Sequence, residues 1–66
     1  MNTQKLENDT AVFHAMRYDH SRGVNVWVGK IGTRDAIVEA ELQVDESYIL
    51  YCPHEWIENG WVRYRP

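Results

Sequence analysis

The feature that most constrains this chain is its single cysteine, Cys52, in a length of 66 residues. One cysteine cannot form an intramolecular disulfide, so the class of small secreted domains that disulfides hold together is excluded. A domain of this length buries only about 60% of the surface of its unfolded chain. Stability must therefore come from a small hydrophobic core, and we expect Trp27, Trp56 and Trp61 to be core residues first.

The amino terminus shows no targeting segment. Its first nine residues, MNTQKLEND, contain Leu6 as the only large apolar side chain after the starting methionine. We predict a flexible arm over residues 1–9 and a single small domain over residues 10–66. No stretch approaches the roughly 20 apolar residues that span a bilayer, and no apolar run resembles a signal peptide. Together with the lone cysteine, this predicts a cytoplasmic protein that does not enter a membrane.

Alternation of apolar and polar residues predicts an antiparallel sheet. The segments TAVFHAMRY (residues 10–18) and VNVWVGKIG (24–32) alternate with period two, and the second is rich in β-branched residues. The DHSRG segment between them has the turn-forming residues and the length of a hairpin loop. SYILYC is a further short strand that Pro53 ends, because proline cannot donate to a ladder. WVRYR is the last strand.

Residues 35–44, DAIVEAELQV, fit two periodicities. One face of a strand here would carry only apolar residues, and the other would carry Ile37, Glu39, Glu41 and Gln43. This strict alternation is typical of a half-buried strand. Alanine, glutamate, leucine and glutamine are also good helix formers, and Thr33 or Asp35 could cap a helix here. We predict a strand, with a helix at about residues 34–44 as the alternative. A strand gives an all-β fold, whereas a helix gives α+β.

The segment PHEWIENG also has two interpretations. Pro53 at a first helical position and Gly60 after the end would frame one helical turn. Alternatively, Asn59 and Gly60 form a type I′ turn between two strands, because that turn needs positive φ at both central positions. Overall, the sequence predicts a small antiparallel meander of four to five strands, folded as a curled sheet or an SH3-like barrel.

No residue pattern predicts catalysis or a cofactor. The candidate metal ligands are Cys52, His54, His14 and His20. They lack the paired spacing of a zinc site, and Cys52 lacks the local motif of a thiol nucleophile. Residues 29–32, GKIG, are neither a Walker sequence nor a dinucleotide fingerprint. We therefore predict a protein that is not an enzyme and holds no metal or cofactor.

Charge is divided unevenly along the chain. Residues 1–34 contain five Lys and Arg against three Asp and Glu, a net charge of +2, whereas residues 35–66 contain two against seven, a net charge of −5. The predicted partner-binding residues are Glu39, Glu41, Asp45 and Glu46, with Trp56 and Tyr64 as anchors. An acidic surface attracts a basic partner and raises its association rate. We predict a module that binds a larger, basic, nucleic-acid-handling protein and inhibits it by occupying its nucleic-acid site. This prediction is an analogy, based on size and charge, with small proteins of viral or mobile-element type.

The main alternative is a small β-module that binds RNA or DNA. Its residues would be Trp27, Trp61, Arg63 and Arg65. Aromatic side chains on a sheet stack on bases, and arginines hold phosphates. The surrounding acidic residues would repel phosphate, so we rank nucleic acid below a protein partner. The chain is expected to be a monomer or a homodimer.

Overall fold

A six-stranded antiparallel sheet curls into a half-barrel and carries one short helix in residues 9–63, the part of the chain that the computed structural model describes. The elements are β1 (Asp9–Asp19), β2 (Val24–Gly32), α1 (Arg34–Glu39), β3 (Gln43–Val44), β4 (Leu50–Pro53), β5 (Ile57–Glu58) and β6 (Trp61–Val62). The predicted class of a small antiparallel curled sheet is confirmed, although the sheet has six strands and not four to five. The arm predicted over residues 1–9 lies outside the described residues, except for Asp9, with which β1 begins.

Strand β1 is the centre of the sheet. The strand order is β3-β1-β2-β6-β5, and β4 pairs with the beginning of β1. Residues 9–12 of β1 pair with β4, whereas residues 13–19 pair with β2. One long strand therefore joins parts of the chain that are far apart in sequence.

The strand predicted over residues 35–44 is wrong, because its first half forms α1. Thr33 caps this helix: its backbone is extended and its hydroxyl oxygen accepts a hydrogen bond from the Ala36 N–H at 3.2 Å. After the helix, Glu41 takes a positive φ of 62° and the chain turns into β3. A helix forms here in spite of the alternating pattern because it buries Ile37 completely against the sheet.

Removing the helix cap should lower stability measurably. Thr33→Ala deletes the oxygen that accepts from the Ala36 N–H, and we expect a loss of about 0.5–2 kcal/mol in the free energy of unfolding. Urea denaturation followed by circular dichroism measures it. Thr33→Ser keeps a hydroxyl at the cap and should stay close to wild type; equal losses in the two variants would show that the cap is not the cause.

The core lies on both faces of the sheet. Val12 and Phe13 are consecutive in β1, so their side chains point to opposite faces. One cluster consists of Val12, Leu50 and Cys52, packed against Ile31, Trp56, Ile57 and Val62. The other consists of Phe13, Ala15 and Ile37, packed against Ala11, Val28, Leu42, Val44 and Trp61. Trp56 and Trp61 are thus core residues, as predicted, but Trp27 is 53% exposed and its assignment to the core is wrong.

A bulge interrupts β2 opposite Ala15. His14 pairs with Ile31 and Met16 pairs with Trp27, so one residue of β1 faces three residues of β2, 28–30. Gly29 lies in this bulge with a φ of +85°. The Trp27 indole N–H donates to the Lys30 carbonyl oxygen at 2.9 Å and closes the bulge. This bond holds Trp27 against the bulge instead of the core.

The last hairpin combines both interpretations of PHEWIENG. Residues His54–Trp56 form a single 3₁₀ turn, and Asn59 and Gly60 connect β5 to β6 with φ of 55° and 86°. Two positive φ values in a two-residue connection are typical of a type I′ turn. The predicted last strand is shorter than expected, since β6 ends at Val62; Tyr64 and Arg65 lie outside the described residues.

Candidate functional site

The predicted acidic residues lie on α1 and on the two turns that follow it, not on one face of a strand. Glu39 is the last residue of α1 and Glu41 lies in the turn after it; both are exposed. Asp45 and Glu46 follow β3. Because a helix and a turn carry the first two carboxylates, the strand spacing that would have aligned them does not apply.

Two of these carboxylates are already bonded within the chain. Asp45 accepts hydrogen bonds from the Ser47 N–H at 3.0 Å and from the Ser47 hydroxyl at 2.5 Å, and these bonds lower the pKa of Asp45. Glu46 pairs with the Arg34 guanidinium, which lowers the pKa of Glu46 and raises that of Arg34. Arg34 therefore neutralises part of the predicted acidic surface, whereas Glu39, Glu41 and Asp45 join no ion pair among the described residues.

A groove of about 530 Å³ lies between the β2 bulge and the last hairpin. Trp27 and Trp61 line it, with Lys30, Glu58 and Arg63 beside them. The Lys30 ammonium lies 5.3 Å from the centre of the Trp61 ring, within the range of a cation–π contact. Arg63 donates to Glu58 at 3.3 Å. The groove combines aromatic surface with charges of both signs.

The structure brings together three of the four residues predicted for nucleic-acid binding. Trp27, Trp61 and Arg63 all line the groove, whereas Arg65 lies outside the described residues. Of the two predicted anchors for a protein partner, Trp56 is half-buried and borders a smaller recess with Glu55 and Glu58. Tyr64 also lies outside the described residues.

An exposed aromatic cluster was missed by the sequence reasoning. The His14 ring makes an edge contact with Trp27 at a centroid distance of 5.3 Å and stacks on Tyr48 at 6.3 Å. Tyr48 is 48% exposed. These three residues are far apart in the chain, so only the pairing of β1 with β2 and the return of the loop after β3 could reveal the cluster.

The candidate ligands for a metal or a thiol reaction are dispersed. Cys52 is completely buried, and burial raises the pKa of its thiol, which disfavours the reactive thiolate. His14 lies in the aromatic cluster, His20 contacts Tyr18, and His54 hydrogen-bonds Thr10. Within residues 9–63, no group of three or more His, Cys, Asp or Glu side chains converges.

Comparison with known proteins identifies no relative. No family model matches the chain, and neither the curated proteins nor the solved structures contain a match. In the part of the chain described by the structure, no helix is both long enough and apolar enough to cross a bilayer. The site must therefore be interpreted from its own residues.

Proposed function

We propose that this protein is a non-enzymatic module that binds a larger protein with a basic surface. The binding surface is the acidic end of α1 and the turn after it, Glu39 and Glu41, with Asp45 and Glu46 at its border. A nucleic-acid-handling protein offers the basic groove that such a surface complements, and occupying that groove would inhibit it. The acidic half of the sequence supports this proposal.

The observation that carries the proposal is the pairing of charges within the chain. Three of the five Lys and Arg in residues 9–63 are held by carboxylates: Arg22 by Asp19, Arg34 by Glu46 and Arg63 by Glu58. Glu39 and Glu41 are exposed and join no ion pair among the described residues. The charge that remains available to a partner is therefore mainly negative, which favours a basic protein over a polyphosphate.

Single charge reversals test this surface. Glu39→Lys and Glu41→Lys each change the net charge by +2, and the matched control Glu55→Lys makes the same change at an exposed residue outside α1. Affinity capture from the native host lysate, followed by titration of the captured protein, should show about tenfold weaker binding for the first two variants and little change for the control. Equal binding by all three variants would remove this surface from the proposal.

Salt provides a second measurement on the same complex. A contact between an acidic surface and a basic partner weakens as screening increases, mainly through a slower association rate. We therefore expect the association rate with the captured protein to fall between low and physiological ionic strength. An association rate that salt leaves unchanged would contradict electrostatic docking.

A second candidate function is binding of single-stranded nucleic acid in the groove. It is favoured by the convergence of Trp27, Trp61 and Arg63 on one groove beside Lys30. Retention on a single-stranded DNA column at low salt tests it, with Lys30→Ala and Arg63→Ala as groove variants. Arg17→Ala is the control, because Arg17 is exposed and does not line the groove. Retention that only the two groove variants lose would favour nucleic acid over a protein partner.

A further inference from the structure

Among the described residues, the hairpin of β1 and β2 has an outer edge that is almost unpaired. On that side, β2 pairs with β6 only at Gly32 and Trp61 within residues 9–63. On the other side of the hairpin, β3 pairs only with Ala15 and Met16. Beyond Met16, the hairpin is therefore a two-stranded ribbon in the described chain, and such ribbons are marginally stable alone.

The sequence of this edge lacks the usual protection against pairing. Residues 24–28, VNVWV, contain no charge and no proline and consist mostly of β-branched and aromatic residues. Natural edge strands are normally protected by lysine, proline or a bulge. In β2, the bulge and Lys30 come only after this run, so residues 24–28 remain able to pair.

We infer that two copies of this chain form a dimer by antiparallel pairing of their β2 edges over residues 24–28. The two ribbons would join into one four-stranded sheet with a two-fold axis, so that the same patch contacts itself. With the axis at Val26, that residue lies opposite its counterpart, and Val24 of one copy lies opposite Val28 of the other. Trp27 then lies diagonal to Trp27 of the second copy, within reach of an aromatic side chain.

The exposure of the apolar residues on this edge favours a second copy as the occupant. Val24 is 50% exposed and Trp27 is 53% exposed, and the pairing would cover both. No charge lies inside the run to repel the same run of a second copy. The dimer uses β2 and not the acidic end of α1, so it does not rest on the proposed function.

The charges at the two ends of the run give the dimer little salt dependence. Arg22 precedes the run and pairs with Asp19, and Lys30 follows it. Antiparallel pairing therefore brings Lys30 of one copy near a compensated Arg22–Asp19 pair of the other, and screening has little net interaction to change. Docking of the acidic surface on a basic partner weakens as salt increases, which separates the two proposals.

Molar mass by light scattering over a range of concentrations tests the dimer on the full chain. We expect the mass to rise from 7.8 kDa toward twice that value, and to do so over about the same concentration range in low and high salt. Val24→Lys and Trp27→Ala should each weaken dimerisation at least tenfold. Val38→Lys is the matched control, because Val38 is 62% exposed on α1 and should dimerise like wild type.

Three outcomes would overturn the inference. The first is a mass of 7.8 kDa at every concentration and salt level. The second is equal weakening by Val38→Lys and Val24→Lys, which would indicate association through charge and not through β2. The third is a chain without residues 64–66 that dimerises when the full chain does not, since the edge would then be occupied by the chain's own carboxyl terminus.

Discussion

Gly60→Ala is expected to remove much of the stability of this protein. Gly60 has a φ of +86°, and a Cβ added there would lie 2.6 Å from the Ala36 Cβ and 3.1 Å from the Thr33 hydroxyl oxygen. The left-handed conformation costs an alanine about 1–2 kcal/mol, and overpacking costs about 1–3 kcal/mol. Native domains of this size are stable by about 3–10 kcal/mol, so the sum is a large fraction of the total.

Gly29→Ala is a matched control for this prediction. Gly29 has nearly the same φ, +85°, but a Cβ there would meet nothing within 4 Å. The control therefore keeps the backbone strain and removes the clash with α1. We expect the urea midpoint to fall clearly further for Gly60→Ala than for Gly29→Ala. Similar midpoints would indicate that the last hairpin does not pack as closely against α1 as the structure shows.

Ile37→Ala is expected to have the second large effect. Ile37 is the one buried residue of α1, with no exposed surface, and it packs with Phe13 and Ala15. Truncation loses the transfer free energy of the removed atoms and leaves a cavity, so the free energy of unfolding should fall by about 2–5 kcal/mol. Urea denaturation, with tryptophan fluorescence and circular dichroism as independent probes, measures this loss.

The neighbouring residue supplies the control. Val38 is 62% exposed, and alanine is the better helix former, so Val38→Ala should change stability by no more than about 0.5 kcal/mol. If both variants lost stability equally, the loss would not depend on burial, and the role assigned to Ile37 would be wrong. If neither did, α1 would contribute little to the fold.

The strands were predictable because β1 and β2 carry the period-two pattern that a sheet imposes. The prediction failed at residues 35–44, where alternation of apolar residues also fits a short helix. One local and one tertiary contact decided the structure there: Thr33 caps the helix, and Ile37 fills the space beside Phe13. The cap could be proposed from the sequence, but the packing of Ile37 cannot be inferred from the periodicity of the segment.

The site was predictable in its residue types but not in its arrangement. The sequence predicts Trp27, Trp61 and Arg63 as members of one site, and they line one groove. The bulge that exposes Trp27 depends on the register between β1 and β2, which is a long-range property. The pairing of Glu46 with Arg34 likewise depends on the path of the chain after α1.

The central position of β1 makes one half of the core slow to form. Its first residues, 9–12, pair with β4, which begins only at Leu50. Contacts between segments so far apart in sequence form slowly, and an uncovered strand is prone to aggregate. Val12 therefore stays exposed in the folding chain until β4 pairs with β1, and in that interval a chaperone can bind β1.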